Sequence, residues 1–491
     1  MPANNKVRGK EGRNHDRKRT GKTGTPAQIS EKESGVYRCL RSLPVGKTFL
    51  IDKTFAGKIT FRHTGISPVP DAKTGEMSRQ LKQFHFSMQR YGIKTEHCPA
   101  SWMEAFFMLE TWLEKIDDGS RQVVFLDELP WLDTPRSHFV SALESFWNNW
   151  GCHRDNLMLI VCGSSCSWMA DQLINNHGGL YNRLTCQIRL APFNLKECEL
   201  FFAENQVRLS RYDIAQGYMI LGGIPYYLDC FEPGLSLAEN IDRILFSRKA
   251  MLKDEYESLF PAMFNNPAVI KAMVRLLAAS RSGYTRNEIA GKLGFSSGGT
   301  LSQSLKSLVE SDLAVRYVPF GKKKSEARYK LTDPFCLFWI HFMEEPHKPD
   351  EHYWTNNRNA PRIVSWRGLA FENVCFQHID QIKKALDIYG VQTSQSAWIG
   401  SDDELGGTQI DLLLDRADRV VNMCEIKYHG GLFSVDKGYY QVLSNRQMIL
   451  AAKISPRKVI RHTLITTYGL ARNEYSGVFS DVITLDDWFT C

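Results

Sequence analysis

One stretch, VVFLDELPWL from Val123 to Leu132, constrains the fold of this chain more than any other. Four apolar residues run directly into Asp127 and Glu128, as in a buried strand that ends in two carboxylates. A central strand of a parallel sheet is covered on both faces and is apolar throughout. Open α/β sheets bind ligands at the carboxyl ends of their strands. The stretch therefore predicts an α/β fold with a ligand site at Asp127 and Glu128, although an acidic turn after a core strand would look the same.

A second motif, Gly46-Lys47-Thr48, precedes apolar residues at helix-like spacing. In a phosphate-binding loop, backbone N–H groups at a helix N-terminus bind the phosphates, a lysine reaches their outer oxygens and a threonine binds Mg²⁺. We therefore predict that Gly46, Lys47 and Thr48 bind ATP and that Thr48 and Asp127 hold Mg²⁺. Glu128 would orient or deprotonate the water that attacks the γ-phosphate.

The loop departs from its usual pattern. Arg41 stands where the first glycine is expected, and Pro44 lies inside the loop. The same three letters at Gly21-Lys22-Thr23 have no strand before them and no apolar helix after them, so they are excluded.

Two further polar sites follow along the chain. A predicted strand, 157–162, ends in Gly163-Ser164-Ser165, where Ser164 or Ser165 would sense the γ-phosphate or simply cap a helix. Arg183 precedes a predicted strand at 187–190 and would complete the charge shell of the γ-phosphate, in the same chain or in a neighbouring one. A plain surface charge is the alternative for Arg183.

Composition limits the remaining choices. With 491 residues the chain is long enough for several domains. Residues 1–35 contain nine Lys or Arg and four Asp or Glu, so +5 of the net charge of +7 lies in this tail and the remainder is close to neutral. The twelve cysteines are scattered, some inside apolar runs, as in a reduced cytoplasmic protein. No apolar run reaches the roughly 20 residues that span a bilayer, so we expect a cytoplasmic chain without membrane contact.

The motifs together resemble a known family. GKTFL, FLDELPWL, VCGSSCSWM, the LYNR segment, RLAPF and GGIPYYL follow the order of prokaryotic P-loop ATPases of the archaeal-ATPase group, which is AAA/STAND-like. The resemblance covers about residue 36 to the C-terminus. It implies a C-terminal domain of DUF234 type, similar to PD-(D/E)xK nucleases. The family typically has a strand and a GRRRxGKT-like loop where this chain has RSLPVGKT; one hypothesis is a degenerate or misread segment before about Val45.

Pattern and resemblance give the following domain prediction. It comprises a disordered basic tail at 1–34, a P-loop NTPase core with a parallel sheet at 35–204, a helical lid at 205–265, a winged helix-turn-helix at 266–332 and an α/β restriction-endonuclease-like domain at 333–491. Within the lid we expect helices at 212–221 and 237–254. In the winged helix we expect Thr285 and Thr300 to cap the two helices of the helix-turn-helix.

The predicted winged helix carries a lysine-rich hairpin tip. Lys322, Lys323 and Lys324 would contact the phosphates of double-stranded DNA. The recognition helix, 301–306, has no arginine for reading guanine, so sequence specificity is weakly supported. A winged helix that only packs against the ATPase is the alternative.

The C-terminal part contains a D…ExK pattern. Asp411 lies at the head of one predicted strand, and Glu425 and Lys427 lie on one face of the next. Two carboxylates that hold Mg²⁺, with a lysine that steers water, form a phosphodiesterase site. Glu372 on the preceding helix would complete it. Gln441 would assist or remain an ordinary surface glutamine, and any solvated hairpin can show the same pattern.

The sequence thus predicts an ATP- and Mg²⁺-dependent ATPase that acts on DNA and can cleave it. The alternative is a regulatory STAND-like NTP switch whose C-terminal domain binds a nucleic acid or a protein without catalysis. A third possibility is that the chain is inactive because its phosphate-binding loop is damaged. The DNA substrate and association with further copies of the chain are left open.

Overall fold

The computed structural model describes residues 35–40, 47–67, 75–164, 168–169, 172, 184–264, 266–295, 298–344, 350–403 and 405–490. The described residues form two compact units. The first contains 35–40, 50–163 and 168–189 with their gaps, and the second contains 47–49, 164 and 190–490 with theirs.

The first unit is built on a parallel sheet of five strands in the order β2-β3-β4-β1-β5. The elements from residue 35 to residue 189 are β1 (Gly35–Leu40), α1 (Lys47–Thr54), β2 (Ile59–Thr64), α2 (Glu76–Arg90), α3 (Trp102–Lys115), β3 (Gln122–Asp127), α4 (Leu129–Leu132), α5 (Phe139–Asn149), β4 (Leu157–Gly163) and β5 (Leu184–Arg189). Every residue of β3 is buried. The α/β class with a parallel sheet, predicted from the apolar run before Asp127, is confirmed.

Helices α2, α3 and α5 cover one face of this sheet. Alternate residues of a strand face the same side, and Val124 and Leu126 of β3 accordingly share one core cluster with Phe84, Phe106 and other aromatic residues of the helices. The N-terminus of α3 is fixed by Ser101, whose side chain accepts a hydrogen bond from the N–H of Glu104 at 3.2 Å. These contacts hold β3 rigidly and so fix the position of its carboxyl end.

The second unit begins with helices and continues into two sheets. Its helices are α6 (Leu195–Glu204), α7 (Arg211–Leu221), α8 (Pro225–Leu228), α9 (Leu237–Ile241), α10 (Glu255–Met263), α11 (Pro267–Ala278), α12 (Arg286–Leu293), α13 (Gly299–Glu310), α14 (Pro334–Phe342), α15 (Tyr353–Asn357), α16 (Pro361–Gln377), α17 (Ile379–Ala385), α18 (Lys437–Ala451) and α19 (Leu485–Thr490). Its strands are β6 (Tyr284–Thr285), β7 (Ala314–Tyr317), β8 (Arg328–Leu331), β9 (Thr393–Asp402), β10 (Gly406–Arg416), β11 (Val420–Lys427), β12 (Val459–Thr466) and β13 (Asp481–Ile483).

Residues 267–331 form three helices and a small antiparallel sheet in the order β6-β8-β7; we call them the three-helix module. Thr285 caps α12 as predicted, because its side chain accepts from the N–H of Glu288. The second predicted cap is wrong: α13 begins at Gly299 with Gly298 as its N-cap, so Thr300 lies inside the helix. The element order is that of the predicted winged helix, an identification that stays a prediction.

The C-terminal sheet has five strands in the order β13-β12-β11-β10-β9. The pairs β9–β10 and β10–β11 are antiparallel, whereas the pairs β11–β12 and β12–β13 are parallel. One face packs against α16, since Leu412 and Cys424 share a core cluster with Val374. The other face packs against α18, since Met423 shares a second cluster with Leu450.

The predicted helix at 237–254 is wrong in its second half. Helix α9 ends at Ile241, a π-helical turn covers Asp242–Phe246, and α10 begins only at Glu255. Asp242 is buried, and its carboxylate accepts hydrogen bonds from the N–H groups of Trp354 at 2.7 Å and Thr355 at 3.0 Å. These partners lie more than a hundred positions away, so no local apolar pattern encodes them.

Cys162 and Cys424, which the sequence places inside apolar runs, are buried. Within the described ranges, no helix combines the length and the apolar character needed to cross a bilayer.

Candidate functional site

The carboxyl end of β3 places two carboxylates next to each other in the chain. Asp127, the last residue of the strand, is 4% exposed. Its backbone carbonyl accepts a hydrogen bond from the N–H of Gly65 at 3.0 Å, and its Oδ1 accepts one from the N–H of Glu128 at 3.0 Å. Backbone groups from the ends of β2 and β3 therefore hold this buried acid in place.

Glu128 adopts a left-handed backbone conformation, with φ 52° and ψ 49°. For a residue with a Cβ this conformation costs about 1 kcal/mol or more. It persists only where the surroundings enforce it, which is common at functional sites. Here the surroundings are tight, because a Cβ on Gly65 would lie 2.8 Å from the carbonyl oxygen of Glu128. The turn after β3 is thus rigid and strained.

The carboxyl ends of β1, β3 and β4 lie at the same edge of the sheet, because the strands are parallel and β4 lies between the other two. Ser164 follows β4 directly. Helix α1, which follows β1 in the chain, is described from Lys47, and Thr48 is partly buried in its first turn. The carboxylate of Asp127 is an oxygen donor of the kind that Mg²⁺ prefers.

Several predicted residues lie outside the described ranges. They are Gly46, Ser165, Arg183 and the excluded motif at 21–23. Their roles stay predictions.

In the C-terminal sheet, Glu425 of β11 is engaged on both carboxylate oxygens. Oε1 lies 2.8 Å from Nζ of Lys427 and accepts a hydrogen bond from the hydroxyl of Tyr439, and Oε2 lies 2.6 Å from Nη1 of Arg446. Tyr439 and Arg446 belong to α18. Both oxygens of Glu425 are thus occupied, and binding a metal would require it to exchange these partners.

Asp411 and Glu372 form a second acidic group, on the α16 side. The strand register pairs Leu412 of β10 with Cys424 of β11, and Asp411 and Glu425 are the residues beside this pair on the two strands. Burial and, after it, the nearby charge of Asp411 raise the pKa of Glu372 to about 7, against the opposing effect of Lys330. The charge of Lys427 also reaches Glu372. Charge interactions therefore link all four predicted residues, Glu372, Asp411, Glu425 and Lys427. Glu372 lies on α16, whereas Glu425 contacts side chains of α18.

The described side chains of this region are not arranged as a metal site. Across the described part of the chain, no group of three or more His, Cys, Asp or Glu side chains is arranged to hold a metal. Gln441 does not change this, because its Nε2 donates to Asn445 at 2.9 Å within α18.

Lys330 and Arg281 were missed by the sequence analysis. Lys330 of β8 is 7% exposed, its ammonium lies 4.7 Å from the ring centroid of Phe376, and burial lowers its pKa against the opposing charges of Glu372 and Asp411. A single lysine in a short strand usually points into solvent, so no sequence signal marked it.

The predicted DNA-binding lysines lie in the loop between β7 and β8. Lys322, Lys323 and Lys324 are exposed, and Lys322 forms an ion pair of 3.2 Å with Glu326. The loop is anchored at Phe320, whose N–H donates to the carbonyl of Ala397 in β9 at 3.2 Å.

No protein-family model matches the chain. It is similar to the uncharacterized protein MJECL04 of Methanocaldococcus jannaschii, at 25% identity over 267 residues, which are 54% of this chain and 56% of the relative. The chain thus spans little more than half the length of the curated relative that it matches.

Two solved structures are also similar. A Walker-type ATPase of Pyrococcus abyssi, PABY2304, matches with a TM-score of 0.46 and 17% identity, covering 65% of this chain and 94% of that one. The ORC2 protein of Aeropyrum pernix matches with a TM-score of 0.33 and 13% identity, covering 63% of this chain and 87% of that one.

Proposed function

We propose that this chain binds and hydrolyses ATP and that it acts on DNA through its C-terminal part. The observation that supports this most directly is the buried carboxylate of Asp127 at the carboxyl end of a central parallel strand, followed by Glu128 in a strained backbone conformation. Ligands of open α/β sheets bind at this edge.

The proposed roles follow from chemistry at this edge. Gly46 and Lys47 bind the phosphates, and Thr48 and Asp127 hold Mg²⁺, which neutralises phosphate charge when it is bound. Glu128 orients the attacking water and accepts its proton. Ser164 senses the γ-phosphate, and Arg183 stabilises the charge that develops on it.

The test is ATP binding and hydrolysis by the purified chain and its variants. Lys47→Ala should abolish binding, and the matched control is Lys22→Ala, which removes the lysine of the second GKT motif. Glu128→Gln should retain binding but slow hydrolysis by about 100-fold or more, since general bases contribute this much. Equal, weak binding by the wild type and Lys47→Ala would show that the incomplete loop is inactive.

The second part of the proposal concerns DNA binding and cleavage by the C-terminal part of the chain. We infer that the three-helix module binds DNA through Lys322, Lys323 and Lys324. Cleavage by Glu372, Asp411, Glu425 and Lys427 would in addition require Glu425 to exchange its present partners for Mg²⁺. Mg²⁺-dependent nicking of plasmid DNA that is lost in Asp411→Ala and Glu425→Ala would support cleavage.

A second candidate is a regulatory NTP switch whose C-terminal sheet is not catalytic. The ion pairs of Glu425 with Lys427 and Arg446 favour it, because they stabilise the sheet without any metal. In this case no DNA or RNA is cleaved under any metal condition. Glu425→Gln would then reduce stability, while ATP hydrolysis at the other site would continue.

A further inference from the structure

A cleft of about 360 Å³ separates the three-helix module from the C-terminal sheet within the second unit. Arg281, Arg328 and Lys330 line it on the module side, and Glu372 and Asp411 line it on the other. Its volume is at the lower end of the range for small-molecule sites. A single nucleotide unit fits such a volume, whereas a duplex segment does not.

Two cations of the cleft lack a carboxylate partner. Among the described residues, neither the ammonium of Lys330 nor the guanidinium of Arg281 has an ion pair within 4.0 Å or a hydrogen bond. Arg328 and Lys322, in contrast, pair with Glu288 at 3.6 Å and Glu326 at 3.2 Å. A lysine that is 7% exposed and carries no hydrogen bond is costly to bury. The charges of Glu372 and Asp411 reach Lys330 from the opposite wall, and its hydrogen-bond donors remain available to an anion in the cleft.

The opposite wall offers hydrogen-bond acceptors. Asp411 is held by Gln409, whose Nε2 donates to its Oδ1 at 2.7 Å. Its remaining oxygen positions can accept from hydroxyl or amino groups, as an acidic residue does with the ribose of a bound nucleotide. Phe320 of the three-helix module also lines the cleft, and an aromatic residue can stack on a base. Lys330 and Arg281 thus suit a phosphate, and Asp411 on the facing wall suits the hydroxyl or amino groups of a nucleoside.

We propose that this cleft binds one nucleoside phosphate unit, with Lys330 and Arg281 contacting the phosphate and Asp411 contacting the nucleoside. The unit comes either from a free mononucleotide or from the end of a nucleic-acid strand. Binding requires no cleavage and no ATP hydrolysis, although the cleft shares Glu372 and Asp411 with the proposed cleavage site. Binding without cleavage would therefore support this inference and refute cleavage, and a lack of ATPase activity would leave it unaffected.

The test is calorimetric titration of the full chain with three probes: inorganic phosphate, adenosine 5′-monophosphate and a short single-stranded oligonucleotide. Lys330→Met keeps the buried aliphatic part of the side chain but removes the ammonium, so it should weaken the binding of all three probes by about tenfold or more. Arg281→Gln, at an exposed position, should weaken them without any risk to folding. Asp411→Ala should leave phosphate binding unchanged or tighter, since it removes a negative charge, yet lower the ratio of nucleotide affinity to phosphate affinity by about tenfold.

Lys292→Met is the matched control. Its ammonium lies 5.3 Å from the ring centroid of Tyr284, so it is a lysine of the same module over an aromatic ring, but it does not line the cleft. Binding by this variant should equal that of the wild type. A preference for the oligonucleotide over the mononucleotide identifies a strand end as the ligand, and the reverse identifies a free nucleotide. The inference fails if no probe binds, or if Lys330→Met and Arg281→Gln bind as tightly as Lys292→Met.

Discussion

At the scale of single residues, His378 connects burial with pH. It is 1% exposed and lies between Tyr218 and Trp488, and burial lowers its pKa to about 4. The folded chain keeps this ring neutral, whereas the unfolded chain protonates it below about pH 6.5. The unfolded state therefore binds more protons, and the contribution of His378 to stability falls as the pH drops from 6.5 towards 4.

We expect His378→Phe to weaken this acid sensitivity. The aromatic contacts are retained, and the carbonyl of Val374, which accepts from the His378 ring at 2.9 Å, still accepts from its backbone N–H at 3.0 Å. Between about pH 7 and about pH 5 the variant should lose about 2 kcal/mol less unfolding free energy than the wild type. Urea unfolding at both pH values measures the difference, with the exposed His352→Phe as the control. Parallel pH profiles for wild type and His378→Phe would contradict the argument.

Glu128 allows a second prediction at this scale, because its strain and its charge can be separated. Glu128→Gly and Glu128→Ala both remove the carboxylate, but only glycine relieves the left-handed backbone. Glu128→Gly should therefore be about 1 kcal/mol more stable than Glu128→Ala, and both should lack ATP hydrolysis.

A helical glutamate supplies the comparison for Glu128. Glu110 lies inside α3, where glycine is less stable than alanine by about 1 kcal/mol. In urea unfolding, the glycine variant should thus be more stable than the alanine variant at position 128 and less stable at position 110. The same order at both would mean that the conformation of Glu128 is not strained.

At the scale of elements, the loop between β7 and β8 tests the DNA proposal. Lys322, Lys323 and Lys324 are exposed, and Lys322 is partly neutralised by Glu326. Each lysine that contacts a phosphate contributes about −0.9 to the slope of log K against log salt. Changing all three to alanine should make the slope less steep by about 2 to 3 and weaken binding to all duplex sequences alike.

The control for this loop replaces three exposed lysines elsewhere in the second unit, Lys249, Lys253 and Lys453. Fluorescence anisotropy at several salt concentrations measures both triple variants. If they show the same slope, the module does not bind DNA through this loop, and packing against the rest of the chain remains its role.

Local patterns predicted some elements well and others poorly, for physical reasons. Strand β3 is a short apolar run that is buried on both faces, so its sequence alone determines its environment. The end of α9 depends on the hydrogen bonds of Asp242 with Trp354 and Thr355, which only the folded chain brings together. Lys330 was unpredictable for the same reason, because its burial depends on Phe376 of α16.

At the scale of the whole molecule, we predict that ATP binding and DNA binding influence each other. If bound ATP changes the affinity for DNA by some factor, then DNA must change the affinity for ATP by the same factor. Typical coupling factors lie between about 5 and 150. Glu128→Gln should hold ATP without consuming it, so both affinities can be measured at equilibrium in this variant.

We expect the DNA affinity of Glu128→Gln to shift at least about fivefold between the ATP-bound and nucleotide-free forms, and its ATP affinity to shift equally when DNA is added. Lys47→Ala should bind DNA with one affinity at every ATP concentration, while Lys22→Ala should respond like the wild type. Unequal shifts would show a second linked equilibrium, such as self-association. If ATP binds and the DNA affinity never changes, the ATPase and the DNA-binding part are independent, and nucleotide control of the second unit is refuted.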